Sequence, residues 1–353
     1  MNLDEPSSFA QIDTKNLLAD IDTLPDQLER AWQSAQSQPL PEWQGIRQVL
    51  IAGMGASGTA AELLAAYIEP TCQVSVTVWR DYALPAWAKG EATLLILISY
   101  SGNTEETLSS YANGITHGCR ILAITSGGKL AEEVQKNGGT VCTYTHTSPL
   151  HAAIGFGFGF ALATLARLKL IPVPASEIVE AVQTMRAQQL SLRAESAVCK
   201  NPAKRLAGQF MGRRVMLFGA EFLAPAARRW KQQINELAQA CAEFELLPEA
   251  DHNALAGLCN PEGDVYHSFT LFLRSSLYQP RNLKRTNLTK HIYMLEGANT
   301  DFYDAQGNTS LAQQWTAVHF GDYCAYYLAL LYECDPSNVA LVRAFKAELE
   351  ESN

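Results

Sequence analysis

Between Thr93 and Ser99 the chain reads TLLILIS, with five consecutive aliphatic residues and no charge. A run of strand length without polar alternation is the pattern of a strand covered on both faces, as in a parallel sheet flanked by helices. Its surroundings repeat the theme. Gln48–Ala52 reads as a strand that ends in Gly53-Met54-Gly55-Ala56-Ser57-Gly58 and leads into a helix from about Thr59 to Tyr67. Ser75–Trp79 alternates as a shorter strand, and Ile121–Thr125 is a strand stopped by Gly127-Gly128. A helix over Leu130–Lys136 and a strand over Thr140–Thr145 complete the series. Strands alternating with helices predict βαβ units and a parallel sheet.

At 353 residues the chain exceeds one ordinary core, since a domain takes roughly 100–200 residues. The pattern divides it accordingly. Residues 1–45 form an N-terminal helical segment with Leu17, Leu18, Ile21, Leu24 and Leu28 at helical spacing, and residues 46–170 form a first α/β domain. Ala152–Leu168 reads as a tightly packed helix in which Gly155, Gly157 and Gly159 serve close approach. After Pro172 and Pro174, residues 171–200 read as a helical linker, and 201–353 as a second α/β domain with C-terminal helices. There, Arg214–Gly219 repeats the strand-to-glycine turn seen at Gly53, and a helix is expected from about Pro225 to Ala242. Tyr266–Leu273 and His291–Leu295 are expected as strands, and Gln313–Leu331 and Val339–Leu349 as helices. The halves look like a weak duplication of one α/β unit.

The segment Ser99-Tyr100-Ser101-Gly102-Asn103-Thr104 lies where a buried strand gives way to a helix. That edge of an open α/β sheet is where ligands bind, and the unpaired amides of the helix start suit an oxyanion. Hydroxyls at Ser99, Ser101 and Thr104 add donors without charge, and Gly102 lets the backbone close in. The plainer alternative is a helix cap, with Ser101 or Asn103 capping and Glu106 completing a capping box. The Gly53–Gly58 loop also fits a dinucleotide fingerprint, for which Asp81 is near the required acidic position. Against that, Ser57 offers a hydroxyl, and a dinucleotide fold has no task for the second loop.

Together these loops, G-x-G-A-S-G and then S-Y-S-G-N-T-E-E-T, resemble the sugar isomerase (SIS) family. Arg229-Trp230-Lys231-Gln232-Gln233-Ile234-Asn235-Glu236 resembles the R-W-K-x-Q-I-N-E segment of bifunctional phosphoglucose/phosphomannose isomerases. Leu247–Asn253 resembles their E-x-x-H-N segment. Gly321-Asp322, Tyr326–Ala329, Asp335-Pro336 and Phe345-Lys346 resemble their closing G-D, Y-Y-L-A, D-P and L-K pattern. The likeness spans about Gly53 to Lys346. It implies two SIS-type doubly wound parallel-sheet domains, each a three-layer αβα sandwich, and aldose–ketose isomerisation of hexose 6-phosphates through a cis-enediol. Glu236 matches the family's proton-transferring glutamate, and His252 and Lys346 match its ring-opening residues. Gly55, Ser57, Ser99, Ser101 and Thr104 would hold the substrate phosphate. The resemblance also implies a homodimer in which the histidine reaches the partner subunit's site. No cofactor and no metal is called for, and no ligand-spaced cluster such as H-E-x-x-H is present.

Two departures stand out. His151 occupies the place of the arginine expected to stabilise the enediolate, and Ala254 the place of a glutamate after the H-N pair. Loss of a charged donor from an active site costs about a hundredfold or more in rate. The competing expectation is therefore a non-catalytic or altered-specificity protein that binds sugar phosphates. Amino-sugar phosphate isomerisation is a further option, although no nucleophilic Cys follows Met1 as an amidotransferase version would require.

A net charge of −9 leaves no basic surplus for nucleic acid or an acidic membrane. Eight scattered cysteines with no C-x-x-C pair, no basic-then-apolar start and no uncharged apolar run of about 18 residues point to the cytoplasm.

Overall fold

A computed structural model describes residues 1–145, 153–261 and 263–351. It divides into two compact units, one comprising Thr23–Met185 and Gly307–Gln314, the other Met1–Asp22, Arg186–Gln306 and Trp315–Asn353. Helix α1 (Leu17–Asp22) belongs to the latter.

The unit that starts at Thr23 opens with α2 (Leu24–Ser37) and then alternates strand and helix. Its elements are β1 (Gln48–Ala52), α3 (Gly55–Ile68), β2 (Ser75–Trp79), β3 (Thr93–Ile98), α4 (Glu105–Thr116), β4 (Arg120–Thr125), α5 (Gly128–Lys136) and β5 (Thr140–Thr143), followed by α6 (Ile154–Arg167). All five strands are parallel, in the order β2-β1-β3-β4-β5. Every residue of β3 is buried, as its unbroken apolar run requires. On one face Leu50, Ala52, Leu95, Leu97 and Ala123 pack with Tyr111 of α4 and Leu130 and Val134 of α5. The glycines of α6 do serve close approach. A Cβ at Gly155 would lie 2.8 Å from Gln27 Cβ, and one at Gly159 would lie 2.6 Å from Ala31 Cβ, both on α2.

Helix α7 (Ala175–Leu192) crosses the division between the units. The second unit contains α8 (Pro202–Phe210), β6 (Arg214–Ala220), α9 (Ala224–Leu237), β7 (Ala242–Leu247), β8 (Ser268–Arg274), α10 (Pro280–Leu295) and β9 (Asn299–Asp304). Helices α11 (Ser310–Leu331) and α12 (Ala340–Glu351) close the chain. Its sheet is again parallel, ordered β7-β6-β8-β9. This repeats β2-β1-β3-β4 strand for strand, so the internal duplication read in the sequence is present in the topology.

Two sequence expectations are corrected here. His291–Leu295 is the last turn and a half of α10, and the strand lies beyond it at β9. Pro280 at the first position and Gln279, whose side chain accepts from the Arg281 and Asn282 amides, start that helix upstream of the apolar run. The strand itself reads NTDFYD, an edge strand polar enough to pass for a loop. The helix expected to reach Ala242 ends at Leu237, because the alternating stretch AEFELL forms the opposite edge strand, β7.

The residues that mark the second unit in sequence hold it together in space. Arg229 Nε and Nη2 donate to Asp322 Oδ1 and Oδ2 at 3.0 and 2.8 Å, with both side chains buried. Trp230 Nε1 donates to the Ala317 carbonyl at 2.7 Å. A Cβ at Gly321 would lie 2.3 Å from that same Nε1, so only glycine lets the indole seat against α11.

Candidate active site

In an open sheet, ligands bind beyond the carboxyl ends of the strands where the winding reverses. In the first unit that point lies between β1 and β3. The two loops singled out in the sequence, 53–58 and 99–104, leave these two strands.

Ser99 is buried, and its Oγ donates to Thr104 Oγ1 at 3.1 Å, so these hydroxyls converge. The Gly102 amide donates to Ser99 Oγ at 3.2 Å. Thr104 occupies the N-cap position of α4 but makes no side-chain cap. Nor do the alternative caps act there. Ser101 Oγ accepts from the Asn103 amide, and Asn103 Oδ1 accepts from the Lys129 amide at the start of α5. Side chains that could have sealed the start of α4 are therefore committed elsewhere. Its first-turn amides point where a phosphate is favoured.

The loop is fixed from behind. Gly102 has φ +67°, and a Cβ there would lie 1.8 Å from the Gly127 carbonyl oxygen. The Leu130 amide donates to Gly102 O, and Ser126 N and Oγ both donate to Tyr100 O. Gly102→Ala is expected to destabilise this unit by more than about 2 kcal/mol, since left-handed strain alone accounts for roughly 1–3 kcal/mol. Urea denaturation of the variant measures this, and a loss below about 0.5 kcal/mol contradicts the contact.

Gly55 opens α3 at φ +51° and is exposed, and Ser57 is half-buried in its first turn. Ser57 lines a small recess together with Ile98, Tyr100, Tyr144, Ile154 and Gly157, so the two loops border one space. The aromatic wall of that recess, with Tyr144 stacked on Phe156 at 4.8 Å, went unnoticed in the sequence. The acidic residue considered for a dinucleotide, Asp81, is exposed, and its Oδ1 accepts from the Tyr82 amide at 2.7 Å. His151 lies outside the described residues.

Glu236, His252 and Lys346 belong to the second unit. Glu236 is half-buried in the last turn of α9, and Gln232 Nε2 donates to its Oε1 at 3.0 Å. Burial pushes its carboxyl above the ordinary glutamate value. The Gln232 bond and the charges of Arg229 and Lys231 oppose the rise, and Asp322 adds to it. A carboxyl raised by burial is more basic than an exposed one, a property that suits a general base. His252 ends a short 3-10 turn after β7 and is exposed. The turn is tied to α10 through Asp251, which accepts from Arg285 Nη1 at 2.8 Å and from Thr289 Oγ1 at 2.6 Å. Lys346 is exposed on α12. Among the described residues no hydrogen bond or ion pair joins Glu236, His252 and Lys346 to one another. Ala254 lines a recess of about 260 Å³ that Glu245 and Tyr293 also line, so a carboxylate borders this space although position 254 supplies none.

Among the described residues no helix is long and apolar enough to cross a membrane. Two parallel doubly wound sheets, with a hydroxyl-rich loop at the switch point of the first, are the architecture of SIS-fold proteins. Solved structures agree on the fold. The C-terminal domain of glucosamine-fructose-6-phosphate aminotransferase from Francisella tularensis superposes with a TM-score of 0.69 at 14% identity, over 89% of this chain and 95% of its own. A glucose-6-phosphate isomerase like protein from Thermus thermophilus gives 0.63 at 19% identity over 98% of both chains. The family model for the bacterial phospho-glucose isomerase C-terminal SIS domain matches residues 199–349. A bifunctional phosphoglucose/phosphomannose isomerase from Caldicellulosiruptor bescii is 33% identical over 93% of this chain and 97% of its own length. Its counterpart from Aquifex aeolicus is 31% identical over 88% and 95%. The chain belongs to the bifunctional phosphoglucose/phosphomannose isomerase family.

Proposed function

We propose that this protein is an aldose–ketose isomerase that interconverts glucose 6-phosphate or mannose 6-phosphate with fructose 6-phosphate. The observation that carries this reading is the half-buried, elevated carboxyl of Glu236, in a chain one-third identical to an isomerase of that name. Glu236 removes the C2 proton of the open-chain aldose while O1 gains a proton, which gives a cis-enediol, and then returns a proton to C1 as O2 loses its own and C2 becomes the carbonyl. Because C2 becomes trigonal, the two C2 epimers lead to the same enediol. His252 and Lys346 assist ring opening, and Gly55, Ser57, Ser99, Ser101 and Thr104 hold the phosphate with neutral donors. His151 stands in the sequence where relatives are expected to carry the enediolate-stabilising arginine, and an imidazole is a shorter donor than a guanidinium.

The protein acts in the cytoplasm as a homodimer on this reading. The exposure of His252, on a turn anchored through its neighbour Asp251, supports a histidine presented outward to a partner subunit.

Incubating each hexose 6-phosphate in deuterated water and following products by NMR tests the reaction. The expected result is fructose 6-phosphate carrying solvent deuterium at C1. Thermal stabilisation by the sugar phosphates without product selects the binding-protein alternative instead. Ser99→Ala and Thr104→Val are each expected to raise KM about tenfold with a smaller change in kcat, the effect of losing one bond to a phosphate. Unchanged KM in both variants removes the loop from the site.

A further inference from the structure

Glu236 is the penultimate residue of α9, where the carbonyl end of the helix disfavours a negative charge. Its carboxylate is nevertheless tethered. Gln232, four residues earlier and therefore on the same helix face, donates from Nε2 to Oε1 at 3.0 Å. The other oxygen, Oε2, accepts no hydrogen bond from any described residue. Arg229, one turn further back, does not replace this tether, because two of its nitrogens are bound to Asp322. The charged groups that bear on Glu236 are Arg229 and Lys231 on α9 and Asp322 on α11. Position 232 is also the one place that the R-W-K-x-Q-I-N-E segment leaves open.

We propose that Gln232 is a positioning residue for the base, holding Oε1 so that Oε2 is the atom that takes the C2 proton and delivers it to C1. The inference rests on Glu236 acting as the base. The step needs no oxidant or further reactant, because the proton that leaves C2 is balanced by one returned to C1, and the proton lost from O2 by the one gained at O1. A carboxamide suits the task. It donates to the ionised carboxylate, fixes one rotamer and brings no charge that would suppress the basicity of Oε2.

The test uses the full chain with 13C-labelled glutamate carboxyls, the Glu236 signal being assigned by its loss in Glu236→Gln. Gln232→Met keeps the length but removes the donor, and Gln232→Lys substitutes a charged one. Gln232→Met is expected to raise the Glu236 titration midpoint by about one pH unit, and Gln232→Lys to lower it, since one unit corresponds to a tenfold change in the ionisation equilibrium. With hexose 6-phosphates, Gln232→Met is expected to lose about tenfold in kcat while KM stays within about twofold. A merely structural role predicts no such opposed movement. Titration midpoints of both variants within about 0.2 unit of the native protein overturn the proposal, and the titration requires no turnover. If Glu236→Gln is inactive while Gln232→Met matches the native kcat, only the positioning role falls. If Glu236→Gln turns over normally, the base assignment falls and takes this role with it.

Discussion

Glu236→Gln is expected to reduce kcat for glucose 6-phosphate and mannose 6-phosphate alike by about 10²–10⁴-fold, the range that a positioned general base contributes. The amide is isosteric and cannot accept the C2 proton, so KM and thermal stability should change little. A stopped assay of fructose 6-phosphate formation measures the effect, and activity within a factor of a few of the native protein removes Glu236 from the reaction. The pH profile gives an independent reading. Burial is the largest influence on this carboxyl and raises it, so the acid limb of kcat/KM should lie above the ordinary glutamate value. Activity is lost as pH falls through the raised value, because the base must be ionised. An acid limb at or below the ordinary value contradicts the assignment.

Asp322→Ala should cost about 3–5 kcal/mol, because it strands the Arg229 guanidinium in the interior without its partner. The pair is joined by two bonds, and the side chains retain only 1% and 5% of their exposure. Water therefore does little to screen the orphaned charge. Urea denaturation measures the loss. Replacing both residues together by apolar side chains of similar volume should recover much of it, since the penalty arises from the uncompensated charge more than from the missing pair. A single-variant cost below about 1 kcal/mol is the value of an exposed pair and would count against this account.

The parts of the fold legible in the sequence were those set by short-range pattern. The aliphatic run at Thr93–Ile98 announces a strand covered on both faces, and the glycine-and-hydroxyl segments after β1 and β3 announce where the chain turns into helix. The edge strands β7 and β9 were missed for the complementary reason. A strand at the rim carries polar residues, and only its neighbour's hydrogen bonds identify it. Family likeness supplied Glu236 as a candidate residue but not its environment. The bond from Gln232 depends on helix geometry and rotamer. The Arg229–Asp322 pair joins residues 93 positions apart, a distance over which composition and periodicity carry no signal.

The seating of Trp230 against Gly321 and the grip of Arg229 on Asp322 bear on how relatives of this chain should be compared. Both landmarks join α9 to α11, and the Arg229–Asp322 pair also bears on the Glu236 carboxyl through its charges. On the proposed assignment, a descendant that preserved all four while exchanging Glu236 would retain its architecture and score well in a motif comparison while losing most of its rate. Kinship judged from these four positions thus reports the survival of a scaffold, and a separate look at the carboxylate is needed before a metabolic role is inherited.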